Sequence, residues 1–279
     1  MILIADSGST TTDWGALKKD RSIDFQTAGF NPFFTDQSKI IDAITFAIQD
    51  LFDPNNIREL WFYGAGCSSN ENCLHIEEAL SKLFKNASLH VEHDLLGAAR
   101  ASCGTSAGIA CILGTGSNSC EFDGKNIIDN IPGLGHILGD EGSGSHLGKS
   151  LLKAFFYREL PDDLERDFIK KLQLSKPEIL DRIYKKSQPN RFLASFTYFL
   201  SDHIRHPFIR QLVFNCFDEY TGRHILKYER ARELPVFAVG SVAYYFKDIL
   251  KECFSKHNIL LKEVLQRPIE NLKKYHSSQ

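Results

Sequence analysis

The chain has 279 residues with 33 Lys and Arg against 35 Asp and Glu, and 43% of it is hydrophobic. That is enough for one large domain or two moderate ones with full cores. The net charge of −2 argues against nucleic acid as a partner, because backbone binding needs a basic surplus.

No apolar run reaches the roughly 18 residues of a membrane span. The opening Met1–Asp6 is too short and uncharged at its start for a signal peptide, and reads instead as a first strand. The seven cysteines contain no CxxC pair, so neither a zinc knuckle nor a redox motif is encoded. Cys103, Cys111 and Cys120 stand among small or apolar neighbours and read as buried thiols of a cytoplasmic protein.

In chain order, Ile2–Asp6, Asp13–Lys18 and Ser22–Thr27 read as three short strands joined by tight turns. Gln37–Phe52 reads as a helix, Glu59–Tyr63 as a strand and Asn72–Phe84 as a helix. Leu89–Glu92 is another strand, followed by a helix from Asp94 to about Cys103. Gly108–Leu113 is a buried strand, expected to close a first domain of residues 1–113. Ile131–Gly148 is rich in glycine, carries Asp140 and Glu141, and runs into a helix over Gly144–Glu159. Asp162–Lys227 reads as nearly all helical, Pro235–Val239 as a strand, and Val242–Phe254 as a helix. Arg267–Gln279 reads as a terminal helix that returns to the first domain, leaving 114–266 as the second. Hairpin-linked strands followed by alternating helix and strand predict an α/β fold built on mixed sheets.

Two stretches repeat one design. Ile4–Asp13 and Cys111–Ser119 each run an apolar strand through a Gly/Ser/Thr turn into another strand, and align on Gly8 and Gly116. Such turns present backbone N–H groups and hydroxyls to an oxyanion such as phosphate. Asp6, at the first strand's end, is either a turn cap or a carboxylate that meets phosphate through Mg²⁺. Asp94 is either an N-cap or a general base for a substrate hydroxyl. Asp140, in the Gly-rich loop, is either structural or a ligand contact. Ser143–Ser150 only mimics a P-loop, because no buried strand precedes it. His90 and His93 alternate on a strand and cannot share a metal. Phe192, Phe196 and Phe199, at helical spacing, read as a core stripe.

These pieces, in this order, resemble the sugar kinase/Hsp70/actin superfamily, and within it the N-acetylglucosamine kinase branch that also holds the BadF/BadG/BcrA/BcrD ATPases. Asp6–Asp13 resembles the first phosphate motif and Leu113–Ser119 the second. Phe237–Ala243 resembles the adenosine motif and Pro132–Ser143 the branch's signature loop. The resemblance implies two ribonuclease-H-like domains flanking a nucleotide cleft, with ATP and Mg²⁺ as cofactors. It assigns Asp6, Gly8, Ser9, Thr10, Thr11, Thr115, Gly116, Ser117, Gly240 and Ser241 to the nucleotide, and Asp6 to the metal. Asn31, Gly133, Leu134, Gly135 and Asp140 are assigned to the sugar, and Asp94 becomes the catalytic base on its 6-hydroxyl. Leu134 replaces the tryptophan of animal relatives, and Ser241 a second glycine. The implied activity is ATP-dependent phosphorylation of an amino sugar, N-acetylglucosamine in the first instance. The alternatives are a BadF-like activator ATPase and a sugar-sensing protein with weak turnover. A homodimer follows only by analogy.

Overall fold

The computed structural model describes residues 1–18, 21–32 and 35–278. It divides into two compact units. Unit 1 comprises Met1–Ser106, Phe122–Ile127 and Arg267–Gln279, and unit 2 comprises Ala107–Glu121 and Ile128–Gln266.

Unit 1 begins with β1 (Ile2–Ser7), β2 (Thr11–Lys18) and β3 (Arg21–Ala28), an antiparallel meander. Then come α1 (Gln37–Ile48), β4 (Glu59–Gly64), α2 (Asn70–Leu83), β5 (Ser88–His93) and α3 (Asp94–Cys103). The sheet order is β3-β2-β1-β4-β5, with β4 parallel to both β1 and β5. Ile40, Ile44 and Ile48 repeat at helical spacing on α1, and with Ile76 and Leu80 of α2 they bury against Leu3, Leu60, Phe62 and Trp14.

Unit 2 carries β6 (Gly108–Leu113), β7 (Ser117–Phe122), β8 (Ile127–Ile131), α4 (Gly135–Leu138) and α5 (Gly144–Phe156). A helical insertion follows: α6 (Asp162–Leu172), α7 (Lys176–Tyr184), α8 (Pro189–Ser195), α9 (Thr197–Asp202) and α10 (Pro207–Arg223). The unit ends with β9 (Val236–Val239), α11 (Ser241–Tyr245), α12 (Lys247–Lys256) and β10 (Leu261–Leu265). Its sheet runs β8-β7-β6-β9-β10, with β9 parallel to β6 and β10. Read in chain order, this is the strand order of unit 1 again, so the duplicated turns sit in duplicated sheets.

Two expectations change. Gly108–Leu113 does not close the first unit: β6 pairs with β9, so the boundary falls between Ser106 and Ala107 rather than after Leu113. The hairpins also align two residues away from the expected register. β1 ends at Ser7 and β6 at Leu113, so Gly8 corresponds to Gly114, and Gly116 to Thr10.

The last helix, α13 (Ile269–Ser277), packs in unit 1. Lys273 reaches over Gly15 to Asp24, with Nζ 2.8 Å from Oδ1, and a Cβ at Gly15 would lie 2.7 Å from the Lys273 Cδ. His276 Nε2 lies 2.8 Å from the Tyr63 hydroxyl. Burial, with the nearby Arg100 and His90, pulls the His276 pKa down to about 4. No helix of the described residues is long and apolar enough to cross a membrane.

Gly240, just after β9, shows how tightly unit 2 is built around its turn. Its φ is +118°, and a Cβ there would stand 2.5 Å from the Leu113 carbonyl oxygen. The obstacle is backbone and cannot swing away. Gly240→Ala is therefore expected to destabilise the protein by about 2–4 kcal/mol, from strain at φ > 0 plus the clash. A urea midpoint equal to wild type would contradict this.

Candidate active site

In unit 1 the first turn is closed by the Gly8 N–H donating to the Thr11 carbonyl at 3.0 Å. The end of β3 is fastened to it. The Gly29 N–H donates to the Thr10 carbonyl at 3.0 Å, and a Cβ at Gly29 would lie 2.2 Å from the Gly8 oxygen. Ser7 Oγ shares a 2.8 Å hydrogen bond with Thr12 Oγ1 and accepts the Phe30 N–H at 3.1 Å. Ser7 thus serves the scaffold, while Thr10 and Thr11 are exposed to solvent beside Gly8 and Ser9.

Three carboxylates converge below this turn. Asp6 and Asp13 are cross-strand partners in the β1–β2 pair, which places their side chains on one face, and Asp94 opens α3 at the end of β5. Burial pushes the Asp6 carboxyl up to about 8, and the charges of Asp94 and Asp13 add to the rise. Asp13 accepts a hydrogen bond from Gln26 Nε2 at 2.5 Å, with Arg267 3.6 Å away. Asp13 carries no local signal in the sequence; what points to it is its hairpin register opposite Asp6. Like charges around Asp6 favour a proton or a cation there, and an all-oxygen donor set suits a hard divalent ion.

Asp94 Oδ1 lies 2.8 Å from His93 Nδ1, and the same nitrogen accepts the Leu95 N–H at 3.0 Å to cap α3. His93 rather than Asp94 is therefore the N-cap residue, and its Nδ1 serves one partner at a time: neutral, it accepts the Leu95 N–H; protonated, it donates to the Asp94 carboxylate. Burial opposes charge on His93, but the hydrogen bond and charge of Asp94 outweigh it, so the His93 pKa is raised. Asn31 packs beside Gly66, whose φ is +87°: a Cβ there would lie 2.8 Å from Asn31 Oδ1. Asn72 Nδ2 donates to the Gly66 carbonyl at 2.8 Å and steadies that loop.

In unit 2 the second turn is tied to the start of α5. The Gly144 and Ser145 amides donate to the Gly114 and Thr115 carbonyls at 2.8 and 3.1 Å. Those helix-end amides are thus spent on the fold, and the P-loop look-alike has no free nest. Asp140, at φ +60°, lays its carboxylate on the turn. Oδ1 accepts the Ser117 N–H at 3.3 Å, and a Cβ at Gly116 would lie 3.1 Å from Oδ2. Burial raises the Asp140 pKa against the effect of the Ser117 hydrogen bond.

Gly133 backs onto the same strand end, since a Cβ there would meet the Ser117 carbonyl at 2.8 Å. Thr115, Gly116, Ser117, Gly133 and Asp140 therefore form one cluster, which brings residues assigned to nucleotide and to sugar together. The buried Ser117 Oγ has no hydrogen-bond partner among the described residues, and a buried hydroxyl is ordinarily satisfied. Leu134 is 60% exposed and precedes α4 as its N-cap residue, and Ile137 and Leu138 of that helix are also exposed; Gly135 lies at φ +73°. Gly240 and Ser241 sit at the join of β9 and α11, against the end of β6. A cleft of about 700 Å³ lined by Arg182, Lys185 and Phe192 lies in the helical insertion and contains none of these residues.

No protein-family model matches the chain. A solved structure from Porphyromonas gingivalis, provisionally named an N-acetylglucosamine kinase, is 42% identical, covers 100% of this chain and 99% of its own, and superposes with a TM-score of 0.94. The chain belongs to the N-acetylglucosamine kinase family. A second structure with that provisional name, from Chromobacterium violaceum, is 16% identical, covers 98% of each chain and shares the fold with a TM-score of 0.74. The N-acetylmuramic acid/N-acetylglucosamine kinase of Clostridium acetobutylicum is 31% identical over 138 residues. That match takes in 48% of this chain and 45% of the curated relative, so the chain aligns with about half the length of that protein. The fold of the family is the duplicated α/β arrangement described above.

Proposed function

We propose that the protein is an ATP-dependent amino-sugar kinase that phosphorylates the 6-hydroxyl of N-acetylglucosamine. The observation that carries this reading is the set of three carboxylates in unit 1, with Asp94 relieved of capping by His93. The names of the Porphyromonas and Clostridium relatives support the same activity.

Phosphoryl transfer asks a protein for positioning and charge neutralisation more than for covalent chemistry. Unit 1 supplies Asp94 to take the proton from the attacking hydroxyl, Asn31 to orient the sugar, and Gly8 to Thr11 to receive phosphate oxygens. Unit 2 supplies Thr115, Gly116 and Ser117 for phosphate, Gly240 and Ser241 for adenosine, and Gly133 to Gly135 with Asp140 for the sugar. Asp6, with Asp13 and Asp94 nearby, has the donor chemistry to hold Mg²⁺, directly or through water. When bound, that ion would supply charge neutralisation for the phosphates. Buried thiols such as Cys67, Cys216 and Cys253 suit a reducing cytoplasm, which we take as the site of action.

The test is ADP release against a panel of sugars: N-acetylglucosamine, N-acetylmannosamine, N-acetylmuramic acid, glucosamine and glucose. Release that depends on N-acetylglucosamine is the expected result. ATP hydrolysis equal in every tube would remove the kinase reading and favour an activator ATPase.

A further inference from the structure

The signature loop is gripped from behind by side chains that neither the phosphate nor the sugar assignments include. Asp140 holds a left-handed backbone without being glycine, a conformation that persists only where the surroundings enforce it. The two residues that follow it are both held. Glu141 Oε2 lies 3.1 Å from Nε2 of the buried His224, and Oε1 lies 3.5 Å from Arg223 Nε. The Gly142 N–H donates to His146 Nδ1 at 3.0 Å. The two grips are joined: Arg223 Nε donates to Glu219 Oε1 at 2.8 Å, and Glu219 Oε2 lies 3.5 Å from His146 Nε2. A ring of side chains from α5 and α10 thus closes on the chain one and two residues after Asp140.

The hydrogen bonds fix roles within this ring. His146 Nδ1 accepts an amide hydrogen, so its proton sits on Nε2, toward Glu219. Burial lowers the His146 pKa, which keeps that acceptor available. His224 stacks on Tyr220 with ring centres 4.9 Å apart and presents Nε2 to Glu141. The Arg223 pairs are exposed and contribute little. The buried His224–Glu141 contact and the His146–Gly142 bond carry the grip.

We propose that Glu141 and His146 are positioning residues that hold Asp140 in its left-handed conformation with its carboxylate on the β6–β7 turn, and so set the affinity for the sugar. The sugar readout rests on the kinase reading; the loop readout does not.

The experiment compares wild type with Glu141→Ala, Glu141→Gln and His146→Ala, using sugar and ATP kinetics together with amide hydrogen exchange of peptides covering 132–143 and 1–18. In Glu141→Ala and His146→Ala the loop peptide should exchange at least ~10-fold faster while the β1–β2 peptide keeps its protection. The sugar KM should rise at least ~10-fold with kcat and the ATP KM within ~3-fold. Glu141→Gln, which can still accept from His224, should recover most of the loss. His146→Ala serves as the second variant if Glu141→Ala fails to fold. Unchanged loop exchange overturns the proposal. So does faster exchange with an unchanged sugar KM, the signature of a merely structural contact. Faster loop exchange in a protein whose wild type phosphorylates no sugar leaves the clasp standing and the kinase reading fallen.

Discussion

Asp94→Asn should lower sugar-dependent turnover by ~10²–10⁴-fold, the usual loss when general-base catalysis is removed. Asparagine keeps the shape of the side chain and can still meet His93 Nδ1, so α3 and its cap are preserved. The sugar KM should therefore move by less than ~3-fold, and the loss should fall on kcat. Folding should not suffer, because the substitution removes one of the charges that press on Asp6. A variant with wild-type kcat would take Asp94 out of the mechanism. A variant with raised KM and normal kcat would make it a binding residue.

Asp6→Asn should abolish most activity and yet stabilise the protein. The Asp6 carboxyl is partly buried at the end of β1, and its pKa is raised from 3.8 to about 8 by burial and by Asp94 and Asp13. A carboxyl raised in the folded state binds a proton there that the unfolded chain gives up. Its contribution to stability is therefore most favourable below its unfolded pKa, and is lost as pH rises from about 4 to about 8. Asparagine does not titrate and removes this slope. Melting temperatures in chelator should show wild type losing more stability than Asp6→Asn between about pH 5 and about pH 8, with the variant ahead at the upper end. After allowance for partial exposure the gain is of order 1–3 kcal/mol. Added divalent cation should stabilise wild type and leave the variant unmoved. Parallel pH profiles for the two proteins would mean that Asp6 is not held near like charges.

The parts of the fold that face inward were the legible ones. β1, β4, β6 and β9 are apolar runs bounded by turn residues, and each was visible as a strand. β8 and β10 were missed. Both stand at sheet edges, are five residues long with no fully buried residue, and carry charged residues such as Asp129, Lys262 and Glu263. Without a buried face, an edge strand leaves little alternation to read. The domain boundary was misplaced for a related reason: β6 looks like any buried strand, and only its pairing with β9 says which sheet owns it. The all-helical stretch divides into five helices, of which α10 is the longest at 17 residues, and Phe196 and Phe199 are core, packed on Phe168.

At the candidate site, Asp6 and Asp94 stand out in the sequence because one lies near a strand end and the other opens a helix, where ligands are met in α/β sheets. Asp13 and the ring around Glu141 could not. Asp13 becomes visible only once the hairpin register is known. Glu219, Arg223 and His224 reach the loop from a helix some eighty residues further along, and no local pattern announces that contact.

The central claim is that this chain moves a phosphoryl group to a sugar rather than to water. The most direct measurement is to incubate it with ATP, Mg²⁺ and N-acetylglucosamine, and to identify the phosphorylated product by phosphorus NMR and mass spectrometry. The account predicts a hexosamine 6-phosphate formed in equal amount with ADP, and its loss in Asp94→Asn. Inorganic phosphate as the only product, formed at the same rate with and without sugar, would contradict it.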